Sequence, residues 1–159
     1  MNQRAQFADT MLRLMTEDDR LAVLLGDVGP FTFREHMERW PGRCLNTGCT
    51  EAATVGMAAG MALEGLFPVV STIEPFLLRR AYEFIRLDFA KQNLPGLFVA
   101  VGRDGYPGLG PSHECPEAGL LLSGLGGLSI FEPATADDVD RDIAWACRER
   151  RLTYVRLET

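Results

Sequence analysis

Asn46-Thr47-Gly48-Cys49-Thr50-Glu51 runs straight into Ala52-Ala53-Thr54-Val55-Gly56-Met57-Ala58-Ala59-Gly60. The alanine and methionine content of residues 51–64 predicts a helix, and a short strand is expected over Arg43 to Asn46. Glu51 therefore falls where a strand end meets a helix N-terminus. A carboxylate there is stabilised by the helix dipole, and first-turn capping is its simplest role. Ala52, Gly56 and Gly60 recur every four residues, so one helix face is small enough for another backbone to come close. His113 ends Gly110-Pro111-Ser112-His113, beside a Gly/Pro-rich loop that runs from Gly102 to Pro111. An imidazole in such a loop is poorly placed as core filler and well suited to donating or shuttling a proton. His36, the other histidine, lies in a polar segment and is expected at the surface. Phe76 opens a helix, as a core aromatic or as a stacking face. Of the adjacent Arg79 and Arg80, at least one belongs on a solvated face. Asp27 follows a strand, where turn capping is its simplest role. Arg103 and Arg156 could bind an anion, with surface pairing as the alternative.

These residues need a frame. Phe7, Met11, Leu14 and Met15 recur at helical spacing, and Leu21 to Leu25 is a short apolar run closed by Gly26-Asp27. Further strands are expected over Phe67 to Thr72, Leu97 to Val101, Leu128 to Phe131 and Thr153 to Leu157. Helices are expected over Thr32 to Arg39, Pro75 to Gln92, Pro116 to Leu125 and Ala136 to Arg150, the last with Thr135 as N-cap. Strands separated by helices imply parallel crossover units, hence an α/β sheet covered on both faces. Ligands in such sheets sit at the carboxyl ends of the strands. Gly26-Asp27, Gly48 to Glu51, Ser71-Thr72 and Gly102 to His113 all fall there. One domain spanning residues 1–159 is expected, since no repeat or linker interrupts the pattern.

Composition narrows the classes. The chain has 159 residues, 47% hydrophobic, with a net charge of -6. Neither nucleic acid nor an anionic membrane suits that balance as main partner. Cys44, Cys49, Cys115 and Cys147 form no C-x-x-C pair, so no metal site is expected, and scattered thiols fit a reducing cytoplasm. The N-terminus has no apolar run of signal-peptide type. There is no P-loop, no G-x-G-x-x-G after a strand and no G-x-S-x-G elbow.

The ordered set is more specific than any of its parts. The Asn46 to Glu51 turn and small-residue helix are followed by Val70-Ser71-Thr72, Pro75-Phe76, Arg80-Ala81-Tyr82, Gln92-Asn93-Leu94-Pro95 and Gly110-Pro111-Ser112-His113. This order resembles the central, pyrimidine-binding domain of transketolase and of deoxyxylulose-phosphate synthase. The resemblance runs from Phe7-Ala8-Asp9-Thr10 to Tyr154-Val155-Arg156-Leu157. It implies a three-layer α/β/α fold with a mainly parallel sheet of about six strands, and thiamine diphosphate as cofactor.

By that resemblance, Glu51 hydrogen-bonds a ring nitrogen of the cofactor's aminopyrimidine and favours its imino tautomer. A glutamate sharing its proton in this way requires burial and distance from cations. The resemblance implies that Phe76 stacks on the pyrimidine and that His113 lines the active site and meets substrate. Ile73 stands where the family usually has another aromatic, Arg79 where it can have a third pocket residue, and Asp27 in a loop near the subunit contact. The family's Gly-Asp-Gly…Asn diphosphate and metal half is not found, nor its C-terminal domain. A separate diphosphate-binding subunit carrying Mg2+ or Ca2+ is therefore expected, in an α2β2 assembly. Leu109 replaces an aspartate that contacts the donor sugar. A smaller 2-oxo acid donor or a carrier-bound acceptor thus stands beside ketol transfer. Three readings remain: a split transketolase-type carboligase, a decarboxylase or acyl-transfer subunit like the pyruvate dehydrogenase β chain, and a degenerate scaffold.

Overall fold

The computed structural model describes residues 2–106 and 108–158. Pro107 of the expected Gly/Pro-rich loop, Met1 and Thr159 lie outside the described residues. The elements alternate along the chain: α1 (Gln3–Glu17), β1 (Leu21–Leu25), α2 (Arg34–Arg39), β2 (Cys44–Asn46), α3 (Glu51–Leu63) and β3 (Phe67–Ile73). A helical run follows, then β4 (Gly96–Val101), α5 (Ala118–Ser123), β5 (Ser129–Phe131), α6 (Ala136–Glu149) and β6 (Leu152–Leu157). The six strands form one sheet in the order β2-β1-β3-β4-β6-β5. Every pairing is parallel.

Strand alternation divides the core in two. Leu21, Val23 and Leu25 of β1, Phe67 and Val69 of β3, Leu97 and Val99 of β4, and Val155 and Leu157 of β6 face α1 and α6. Leu24, Val70, Phe98, Ala100 and Tyr154 face the opposite way, onto α3, the helical run and α5. With both faces covered, β1 and β4 are buried at every position. That is why they read as unbroken apolar runs.

Two expectations are corrected. The run expected as one long helix from Pro75 to Gln92 is broken into π-helical Phe76–Arg80, a single α-turn α4 (Tyr82–Phe84) and π-helical Ile85–Ala90. A π turn holds one more residue than an α turn, so side chains after it are re-aimed without ending the helix. His36 is buried, not superficial. Its Nε2–H donates to the Ala8 carbonyl at 2.9 Å and its ring packs 4.6 Å from Phe33. Burial there holds the imidazole below its usual pKa. The short α2 wraps over α1, so a polar-looking segment turns its histidine inward.

Thr135 caps α6 as expected, with Asp138 completing a reciprocal capping box. Thr135→Ala should lower unfolding stability by about 1 kcal/mol, read as a shifted urea midpoint with unchanged slope.

Candidate cofactor site

The parallel sheet sends the carboxyl ends of its strands to one edge, and the candidate residues collect there. After β2, Gly48 takes a left-handed φ of 72°. Glycine suits that turn because it has no Cβ to clash. Asn46 fixes the turn from below: its Oδ1 accepts from Asp27 N at 3.1 Å and Gly48 N at 3.2 Å, and its Nδ2 donates to Asp27 Oδ1 at 3.0 Å. Asp27 is thus a loop-to-loop tie at an exposed position. The Thr47 and Thr54 hydroxyls meet at 2.7 Å, locking the turn to α3.

Glu51 is the first residue of α3, and its side chain is only 3% exposed. Among the described residues the side chain that reaches it is Arg80, whose Nη1 donates to Oε1 at 3.1 Å. The Arg80 guanidinium also lies 3.7 Å from the centre of the Phe76 ring. The His113 ring meets Phe76 edge-on at 5.1 Å, and Ser112 Oγ lies 3.0 Å from His113 Nδ1. Glu51, Phe76 and His113 are thus brought together, with Arg80 between the first two. Neither spacing nor the family resemblance singles out Arg80 as a cofactor ligand.

Arg79 points elsewhere. It binds Glu117 through Nε at 2.7 Å and Nη2 at 3.0 Å, and donates to the Pro111 carbonyl at 3.0 Å. That hydrogen bonding holds the Glu117 carboxyl below its usual pKa. Arg79 thus ties the Pro111–His113 turn to the helix carrying Phe76. Ile73 is half-buried at the end of β3.

Arg156 and Arg103 are already paired. Arg156 grips Glu74 through Nε at 2.6 Å and Nη2 at 3.0 Å, and Glu132 through Nη1. Arg103 binds Glu158 at 2.8 Å and approaches Asp104 at 3.6 Å. Glu74, fully buried and not foreseen from the sequence, is pushed toward a higher pKa by burial against the pull of Arg156. Its hydrogen bonds raise Arg156 further above its usual range. Beside them, burial pushes the Cys115 thiol up to about 11, so it is no nucleophile. A cleft of about 200 Å³ lined by Arg103, Gly105, Glu114 and Cys115 opens next to His113 in the chain. A larger one, about 390 Å³, lies at the start of α6 and touches none of the Glu51 group. Among the described residues no group of three or more His, Cys, Asp or Glu is disposed to hold a metal. Among the described residues no helix is long and apolar enough to cross a membrane.

A parallel α/β sheet with a buried carboxylate, an aromatic face and an imidazole at its carboxyl edge defines an open-sheet ligand-binding domain. The family model described as "Transketolase, pyrimidine binding domain" matches residues 1–159, and the chain belongs to that family. An uncharacterized transketolase family protein of Sinorhizobium fredii is 32% identical over 154 residues, covering 96% of this chain and 45% of its own length. An apulose-4-phosphate transketolase subunit of Actinobacillus succinogenes is 30% identical over 123 residues, covering 77% of this chain and 40% of its own length. A solved structure described as "Split gene transketolase, inactive beta4 tetramer" aligns with a TM-score of 0.88 at 26% identity, over 99% of this chain and 51% of that one. The chain spans about half or less of the length of these relatives.

Arg156→Met leaves Glu74 buried without its cation and should cost about 3–5 kcal/mol at neutral pH. In that variant the folded pKa of Glu74 lies above its unfolded value. Stability is therefore full below the unfolded carboxyl pKa and lost as pH rises through the folded one. Urea denaturation should show the gap to wild type narrowing from pH 7 to pH 5.

Proposed function

We propose that this chain is the pyrimidine-binding subunit of a heteromeric, thiamine diphosphate-dependent transketolase-like enzyme that transfers a two-carbon ketol unit. The observation that carries this reading is the Glu51 carboxylate, buried at a helix N-terminus beside Phe76 and His113. The residues fit a planar nitrogen heterocycle: Glu51 for a ring nitrogen, Phe76 for a ring face. When bound, thiamine diphosphate supplies the electron sink that lets a bond beside a carbonyl carbon break. Glu51 holds a proton at the pyrimidine nitrogen, with Phe76 keeping the ring in plane. Ser112 engages His113 Nδ1, which leaves Nε2 to face substrate. We assign the diphosphate and its Mg2+ or Ca2+ to a separate subunit, in an α2β2 assembly.

Two features support a missing partner. The names of two relatives, an apulose-4-phosphate transketolase subunit and a split-gene transketolase, describe proteins divided between chains. Among the described residues, a Cβ added at Gly56 or Gly60 would meet nothing within 4 Å, so these two positions of α3 leave room that the chain itself does not fill. The decarboxylase or acyl-transfer reading draws support from Arg103 and Arg156, both already tied to carboxylates, and from exposed Leu109. None offers a free cation to a phosphorylated donor. The scaffold reading fares worst, because Glu51, Phe76 and His113 converge.

Calorimetry with thiamine diphosphate and Mg2+ tests the proposal, on this chain alone and mixed with a diphosphate-binding transketolase subunit. Tight binding only in the mixture is expected, with at most weak binding by the chain alone; no binding in either sample sinks it. In the active mixture Glu51→Ala should abolish turnover without changing the melting profile by more than a few degrees. His113→Ala should cut kcat by about 10²–10⁴-fold with little loss of cofactor affinity.

A further inference from the structure

We infer that Arg80 occupies the pyrimidine's seat in the unassembled subunit and must leave it for the cofactor to bind. The inference rests on the cofactor reading above. Two contacts define the seat: a donor to Glu51 and a flat group over Phe76. Arg80 makes both, at 3.1 Å to Glu51 Oε1 and 3.7 Å from the Phe76 centroid. A guanidinium suits the position because it is planar, stacks on aromatic faces and carries hydrogen-bond donors in its plane. Those are the properties of a protonated heterocyclic edge. Phe76 is only 8% exposed with Arg80 in place, so little of its face is free for a second planar group.

The chemistry requires the exchange. With Arg80 Nη1 donating to it at 3.1 Å, Glu51 Oε1 is engaged by a cation rather than turned to a ring nitrogen. Its proposed role needs the cation gone. Removal without replacement would strand a buried carboxylate, which is costly. The contact thus protects the free subunit, and a pyrimidine compensates for its loss by sharing a proton with Glu51 and stacking on Phe76. Arg80 can withdraw: its side chain is 46% exposed and sits on a π-helical turn at the surface. Neighbouring Arg79, held by Glu117 and Pro111, keeps the turn in place while Arg80 swings.

Thiamine, which lacks the diphosphate, is the probe, because its binding calls on this chain's half alone. Calorimetry on the intact chain should show Arg80→Ala binding thiamine about tenfold more tightly than wild type, since a seat filled most of the time lowers apparent affinity by the free fraction. Arg80→Lys, which cannot stack as a plane, should fall between them and guards against a folding defect in the alanine variant. Glu51→Ala should erase the gain. Without ligand, NMR should show restricted rotation of the Arg80 guanidinium. Equal or weaker binding by Arg80→Ala, no binding by either protein, or a freely rotating Arg80 each overturns the inference. The cofactor reading stands or falls separately, on diphosphate-cofactor binding in the two-subunit mixture.

Discussion

A carboxylate removed from water must be met by something, and at Glu51 the fold supplies the helix start and Arg80. The left-handed Gly48 turn and the Asn46 tie bring the chain from β2 into α3 with Glu51 facing inward. The same side of α3, through Val55, Ala58 and Ala62 with Ala59 beside them, is fixed in the core against Val70 and Leu77. Glu51 cannot retreat to solvent without unpacking that helix. Whatever neutralises it must come from the next element over, and the π-helical turn after β3 is that element. Its extra residue places Phe76 and Arg80 together at the edge.

A second buried acid holds the other half of the edge. Glu74 leaves the end of β3 and meets Arg156, two strands away on β6, which also takes Glu132 after β5. The bidentate pair fixes the relative position of strand ends that share no ladder. More exposed ties follow the same plan: Arg79 to Glu117 and Arg103 to Glu158. Surface pairs of this kind contribute about 0–1 kcal/mol, so their effect is on loop placement. The loops bearing His113 and Arg103 are held by charge-assisted bonds because glycines leave them few apolar contacts.

The sheet was legible because burial on both faces turns strands into apolar runs, and α1 and α6 because a single apolar stripe repeats at helical spacing. Glu51, Phe76 and His113 came from their order along the chain and its resemblance to a family. Arg80 was not legible. On an α-helix the third and fourth residues after Phe76 share its face, so spacing cannot choose between Arg79 and Arg80. The choice is made by the π turn, which no local composition marks. Glu74 was missed for a related reason: its partner lies 82 positions along the chain. The signal available was an acid directly after a buried strand, which has to find a cation. His36 shows the reverse error, a polar segment whose single imidazole serves the core.

The small face of α3 points beyond the chain. Glycine inside a helix costs roughly 0.5–1 kcal/mol relative to alanine, and α3 has two. That cost is usually offset by a close neighbour that a methyl group would obstruct. Neither Gly56 nor Gly60 has one here. Met57 and Leu63 lie exposed on the same helix. Under the two-subunit proposal, a helix that gives up stability for space it does not use internally is shaped for contact with another chain. That contact would begin one turn beyond Glu51, so under the same proposal the surface that completes the cofactor site and the surface that joins subunits are parts of one helix. In that arrangement assembly and cofactor binding act on the same carboxylate.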